Sequence, residues 1–163
     1  MYRLILTISV LSFASANAQD AGLSLAEKMR LGTVMDTAAF KAMTDGNTIT
    51  YNNGTQDVYQ EYYRPGSNRI VIEWANPADP NQTACDVGTW SEKQGLICFD
   101  WQTSGEVCAL WVDYNGEYIS AIRGLNGEMN GNLEVISNIT TAPLYCEIGM
   151  VELQSLAAAP DAG

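Results

Sequence analysis

The sequence predicts a mainly β fold: a small antiparallel barrel or sandwich of about eight strands, preceded by one or two short helices. Two observations support this prediction. From residue 45 onward apolar residues alternate with polar ones, which is the period of strands with one buried face. Turn signals rich in Asn and Gly recur about every 8–12 residues, a spacing typical of all-β barrels and sandwiches.

Residues 19–44 are predicted to be helical. Ser24, followed three residues later by Glu27, forms a capping-box pattern at the start of a short helix. Gly32 would end that helix. A second short helix is predicted from Asp36 to Met43, with Asp36 or the next residue as its N-cap.

The antiparallel β domain is predicted over residues 45–154. Its strands are short runs between turn signals such as Asn115-Gly116, and the same dipeptide predicts further turns at 126–127 and 130–131. Residues 75–83 contain two prolines and two asparagines and are predicted to be a loop. The predicted strands cover about 48–51, 58–63, 69–74, 87–91, 96–101, 107–113, 117–123, 133–136 and 144–153.

Residues 1–18 are typical of a secretory signal peptide. Arg3 supplies a positive charge, an apolar run follows from Leu4 to Phe13, and Ala16-Asn17-Ala18 is an A-x-A cleavage site. The apolar run is shorter than the ~20 residues that span a bilayer. We therefore expect cleavage after Ala18, a periplasmic or secreted mature chain, and no membrane insertion. Residues 155–163 are predicted to be a flexible tail.

The four cysteines of an exported chain indicate two disulfides. A zinc site would require C-x-x-C pairs or histidines, and the chain has no histidine. A hairpin loop at Trp101–Gly105 would place Cys98 opposite Cys108, whereas a two-residue turn would point them to opposite faces. We favour the wider loop, which leaves Cys85 to pair with Cys146.

The composition excludes several kinds of chemistry. Without histidine there is no Ser-His-Asp or Cys-His catalytic set and no His-ligated metal, and no P-loop or G-x-G-x-x-G motif is present. The chain has 19 acidic and 8 basic residues, a balance that argues against nucleic-acid partners. We expect a non-enzymatic protein without cofactor or metal.

The strand aromatics suggest a function. Most of them would fill the core, but Trp74, Trp90, Trp101 and Trp111 are candidates for lining a cavity that holds a small apolar ligand. A second hypothesis is an inhibitor or protein-interaction module that binds an exported protein. A third is a glycan hydrolase using paired carboxylates. The candidate acids for that reaction are Asp86, Asp100, Glu106 and Asp113.

Several motifs follow one another between residues 36 and 123: Thr37-Ala38-Ala39-Phe40, Gly46-Asn47-Thr48, Glu61-Tyr62-Tyr63 with Pro65-Gly66, Gly88-Thr89-Trp90, and Ile97-Cys98-Phe99 with Cys108. In this order they resemble a family of short exported alphaproteobacterial proteins that is defined only as a domain of unknown function. The resemblance implies a small lipocalin-like β-barrel with no known catalytic residues.

The Gly-x-Trp strand followed by a cysteine hairpin is also similar to small periplasmic barrels that inhibit secreted metalloproteases. Those proteins use an extended N-terminal segment to reach the protease active site. Here the segment would be Gln19 to Gly22. This similarity is the basis of the inhibitor hypothesis.

Overall fold

A computed structural model describes residues 22–76, 79–123 and 129–148. The predicted signal peptide and C-terminal tail lie outside these residues. The described elements are α1 (Leu25–Leu31), β1 (Thr33–Val34), α2 (Thr37–Thr44), β2 (Thr48–Asn52), β3 (Asp57–Tyr63), β4 (Arg69–Asn76), β5 (Asp79–Lys93), β6 (Leu96–Trp101), β7 (Gly105–Tyr114), β8 (Glu117–Arg123) and β9 (Met129–Thr140). A helical turn follows at residues 145–148.

Strands β2 to β9 form a closed antiparallel barrel of eight strands. Each pairs with its neighbour in sequence, and β9 returns to pair with β2. Closure leaves the barrel sheet without a free edge, which removes the usual site of strand-to-strand aggregation. The short β1 pairs with the end of β7, where Thr33 lies opposite Asp113. The predicted fold class is confirmed, and the architecture is a barrel.

Helix α2 closes one end of the barrel. It lies between β1 and the start of β2, and it buries the ring of Phe40 completely. Ring centroids of Tyr63, Trp90, Phe99 and Trp111 lie 5.2 to 6.3 Å from that of Phe40. We call this the closed end, and the end bearing the β2–β3 and β6–β7 hairpins the open end.

Both helices begin at the residues predicted from the sequence. Ser24 and Glu27 form the capping box of α1, with reciprocal hydrogen bonds between side chain and backbone. Asp36 is the N-cap of α2 and accepts a hydrogen bond from a backbone N–H of its first turn. Helix α1 packs on β7, β8 and β9, and Lys28 donates to Glu117 at 2.6 Å.

The structure contains two disulfides. Cys98 and Cys108 occupy directly opposite positions in the β6–β7 hairpin, which is the register of the wider loop. Cys85 of β5 is bonded to Cys146 in the final helical turn, across a sequence separation of 61. Closing a loop of that length lowers the conformational entropy of the unfolded chain, which stabilises the folded protein by about 4 kcal/mol.

The predicted loop at residues 75–83 is wrong. Strand β4 continues to Asn76 and β5 begins at Asp79, so the described residues of this segment belong to strands, with Ala75 paired to Thr83 and Asn76 to Asp79. The ladder changes register between Ala75 and Asn76. Pro80 lies in the unpaired stretch that this change creates, where its missing N–H breaks no ladder hydrogen bond.

The predicted last strand at 144–153 is also wrong over its described part, residues 144–148. Pro143, which has no amide N–H, precedes the helical turn, and Cys146 is held against the outside of the barrel by its disulfide. Strand β9 closes the sheet instead. It continues through Asn130-Gly131, so the turn predicted there is wrong as well.

Candidate functional site

Successive side chains of each strand point alternately into and out of the barrel, and this alternation determines which residues form its inner surface. Tyr59, Glu61 and Tyr63 occupy every second position of β3 and therefore face the same side of the sheet. The β2–β3 register places Tyr51 opposite Tyr59, and their rings stack with centroids 4.5 Å apart. Tyrosine phenols and a glutamate thus share the interior with the apolar core.

A cavity of about 190 Å³ lies inside the barrel. We call it the inner cavity. Its wall is mostly aromatic and aliphatic and includes Phe99, Trp101 and Trp111. Two carboxylic acids also line it, Glu61 of β3 and Glu134 of β9.

A second cavity of about 320 Å³ lies toward the open end. We call it the mouth. Trp74 and Ser104 are part of its lining, and it shares Tyr59, Ile72 and Trp101 with the inner cavity. Because three side chains border both spaces, the mouth and the inner cavity adjoin.

The four candidate cavity tryptophans fall into two groups. Trp74 lines the mouth, Trp111 lines the inner cavity, and Trp101 borders both. Trp90 packs at the closed end, where its ring meets that of Phe40 edge-on at 5.2 Å. Trp90 is therefore a core residue, and the other three are placed where a ligand would contact them.

Glu61 lines the inner cavity and is only 4% exposed. Its Oε2 accepts hydrogen bonds from the hydroxyls of Tyr51 at 2.5 Å and Tyr63 at 2.7 Å. Burial raises the pKa of Glu61 to about 7; the two tyrosine hydrogen bonds oppose this shift, and the charge of Glu134 adds to it. The group therefore changes protonation near neutral pH.

Glu134 has a similar arrangement on the neighbouring wall. Its Oε2 accepts a hydrogen bond from the hydroxyl of Tyr59 at 2.5 Å, and Ser120 also bonds to it. Burial raises the pKa of Glu134, while these two hydrogen bonds lower it. Burial also raises the pKa of Tyr59, so its phenol remains a protonated donor.

Asp86 is also a buried acid near these spaces, but it has a structural role. It lines the mouth, and its carboxylate accepts hydrogen bonds from the backbone N–H groups of Val87 and Thr103 and from the Thr103 hydroxyl. These contacts anchor the β6–β7 hairpin to β5. Its hydrogen-bonding capacity is thereby used within the protein.

The four acids considered for glycan hydrolysis do not share a site. Asp100 lies opposite Glu106 in the β6–β7 hairpin, two positions along the strands from the Cys98–Cys108 pair. Because side chains alternate along a strand, these acids and the disulfide all lie on the outer face of the barrel. Asp113 accepts a hydrogen bond from Gly116 N in the β7–β8 turn at 2.7 Å. Of these four acids, Asp86 is the one that lines the mouth, and none of them is among the described residues that line the inner cavity. Within the described ranges no group of three metal-ligating side chains occurs.

Sequence reasoning missed the two acids that do line the inner cavity. The signal for Glu61 was present, because it alternates with Tyr59 and Tyr63 and so had to share their face. Glu134 gave no comparable local signal. Its partner Tyr59 is 75 positions away in the sequence and becomes a neighbour only when the barrel closes.

Comparisons of the chain with family models, with curated proteins and with solved structures found no match. Residues 19–21 of the segment implicated by the inhibitor similarity lie outside the described residues. Each helix in the described part of the chain is too short or too polar to cross a bilayer.

Proposed function

We propose that the mature chain is an exported, non-enzymatic binding protein whose barrel holds one small ligand with an apolar body. The observation that carries this proposal is the pair of adjoining spaces lined by Trp74, Trp101 and Trp111. An eight-stranded barrel has room either for packed side chains or for one small ligand. Here Phe40 and its neighbours fill the closed end, and the open end is left with space.

The volumes limit the size of the ligand. The inner cavity, about 190 Å³, is below the roughly 300–1,000 Å³ of pockets that hold drug-sized molecules. A ligand would place one end in the inner cavity and the other against Trp74 in the mouth. Aromatic walls favour a flat or slender apolar body, because ring faces give large contact areas.

Two features support export as part of the proposal. The first 18 residues have the pattern of a signal peptide. The two disulfides would form and persist in an oxidising compartment, such as the periplasm or the extracellular space.

The experiment is a titration of the purified protein with three phenyl compounds of similar size: 2-phenylethanol, 2-phenylethylammonium and phenylacetate. The readout is the NMR methyl signals of Ile72 and Val107, which both line the inner cavity. We expect saturable shifts of these signals with at least one compound. If none of the three shifts them, the proposed function is wrong.

A matched pair of variants tests the location. Val107→Phe places a ring in the inner cavity and should abolish the shifts by occupying the ligand's space. Val34→Phe makes the same chemical change on β1, where the side chain is exposed, and should leave binding intact. Equal loss in both variants would mean that the compounds bind elsewhere.

A further inference from the structure

The polar side of the inner cavity indicates the class of ligand. We propose that the ligand is a small organic ammonium ion, bound with its charge beside Glu61 and Glu134 and its apolar body against the aromatic wall. This inference rests on the proposed function, because it requires the inner cavity to be the ligand site. It goes beyond that function by specifying the charge of the ligand and its orientation in the cavity.

The first argument is the lack of a compensating cation. Both acids line one cavity, and no Lys or Arg is among the described residues that line it or the mouth. The partners of the two carboxyl groups are hydroxyls, those of three tyrosines and a serine, which bring hydrogen bonds but no positive charge. Glu61 is buried and Glu134 is half-buried, and burying a carboxylate without a cation is costly.

The basic side chains of the described ion pairs lie elsewhere. Lys28 is bonded to Glu117 beside α1, Lys93 to Glu106 on the outer face, and Arg64 to Glu147 near the final helical turn. None of these lysines or arginines lines either cavity. The other described basic residues, Arg30, Lys41, Arg69 and Arg123, do not line either cavity. A positive charge beside Glu61 and Glu134 would therefore come from a ligand.

The second argument comes from the aromatic wall. A cation near the face of a tryptophan or tyrosine ring is attracted by the ring quadrupole, more strongly when water is excluded. Trp111 and Tyr59 line the cavity together with both acids. Aromatic faces combined with carboxylates recognise an ammonium group that carries an apolar substituent.

A third observation concerns Trp111 itself. The residue is 2% exposed, and its indole Nε1–H has no hydrogen-bond partner among the described residues. Buried donors of this kind are normally satisfied. Because Trp111 lines the inner cavity, this donor is an open hydrogen-bonding position beside the proposed ligand site. An acceptor atom on the ligand, such as a hydroxyl oxygen, would complete it.

The competing explanation is that the two carboxyl groups are only structural. They would then hold protons, with water filling the space around them, and the cavity would accept neutral apolar molecules without regard to charge. The two explanations differ in one measurable respect. The ammonium hypothesis requires a preference for the cation over a neutral molecule of the same shape, and the structural explanation does not.

The experiment compares affinities of 2-phenylethylammonium, 2-phenylethanol and phenylacetate by calorimetry at pH 8, which is above the pKa of about 7 for Glu61. We expect the ammonium ion to bind at least about tenfold more tightly than the alcohol, with phenylacetate the weakest of the three. Equal affinities for the ammonium ion and the alcohol would overturn the ammonium inference and leave the proposed function standing. Binding by none of the three would overturn both.

Two variants test whether the preference for the ammonium ion over the alcohol arises in the inner cavity. Glu134→Gln should reduce ammonium affinity about five- to tenfold and leave the affinity for the alcohol unchanged, because it removes charge and retains shape. Glu106→Gln makes the same change on the outer face of the barrel, where Glu106 meets Lys93, and should alter neither affinity. An equal loss for both ligands in Glu134→Gln would indicate a structural role and overturn the inference.

Discussion

The two ends of the barrel interior use the same kinds of side chain but differ in what occupies the space between them. At the closed end the ring of Phe40 packs edge-on against those of Tyr63 and Trp90. At the open end Trp74 and Trp101 line spaces of about 320 and 190 Å³. Aromatic content therefore does not distinguish core from cavity here. The two ends differ in whether a neighbouring element inserts a side chain into the space between the aromatic rings, as α2 does with Phe40 at the closed end.

The polar groups divide in the same way. The closed end is apolar around Phe40, whereas the inner cavity contains Glu61 and Glu134 with their tyrosine donors. Buried acids cost stability unless something compensates their charge. A barrel that retains them beside open space gives up stability at the position where we propose that a ligand binds. Substitutions at each end should separate stability from binding.

The largest effect is expected at the closed end. Phe40→Ala should lower the free energy of unfolding by about 3–5 kcal/mol, because it removes a fully buried ring and leaves a cavity. Chemical denaturation monitored by tryptophan fluorescence measures the change. Trp74→Ala is the open-end counterpart and should cost less, because Trp74 is only half-buried.

The same pair should behave oppositely in ligand binding. Trp74→Ala should weaken binding of 2-phenylethylammonium, because Trp74 lines the mouth. Phe40→Ala should leave the Trp74 contacts of the mouth in place under conditions where the protein remains folded, because Phe40 is not among the residues that line the mouth. A larger loss of stability in Trp74→Ala than in Phe40→Ala would contradict the division into a filled end and an open end.

The second effect is a dependence of stability on pH. Glu61 titrates with a pKa of about 7 in the folded protein, against an ordinary value of 4.5. Below pH 4.5 it is protonated in both states, and its contribution to stability is fully present. As the pH rises through 7 the contribution is lost, at a cost of about 3 kcal/mol. Denaturant titrations from pH 4.5 to 8 measure this loss.

Glu61→Gln should remove most of this dependence, because glutamine resembles the protonated acid and does not ionise. A smaller decline in the same direction should remain, since burial also raises the pKa of Glu134. The buried groups facing Glu61 from β2 and β3 are Tyr51 and Tyr63, whose raised pKa values keep them neutral throughout this range. An unchanged pH profile in Glu61→Gln would show that Glu61 is not the titrating group.

Local features of the fold could be predicted from the sequence, because they depend on residues close together in the chain. The bounds of β6 and β8, the capping box at Ser24 and the cysteine register of the β6–β7 hairpin all belong to this class. Turn chemistry and side-chain periodicity determine them directly. These local features determine a series of hairpins, but they do not determine which side chains meet inside the barrel.

The features that define the site depend on closure of the barrel. The pairing of β9 with β2 brings Glu134 beside Tyr59, and no local pattern indicates that contact. Phe40 was visible only as an apolar residue of a short helix, and its position inside the barrel depends on where β1 and β2 hold α2. The division into a filled end and an open end therefore follows from long-range packing.

The smallest effect concerns how firmly α2 holds Phe40 in place. Asp36→Ala removes the side chain that caps α2 and should cost about 1 kcal/mol. Ser24→Ala removes the cap of α1, which packs on β7, β8 and β9, and should cost a similar amount. The two variants should differ in near-ultraviolet circular dichroism. Loosening α2 changes the surroundings of Trp90 and Trp111, which touch Phe40, whereas loosening α1 leaves these contacts in place. Identical spectra for the two variants would mean that the packing of Phe40 does not depend on the α2 cap.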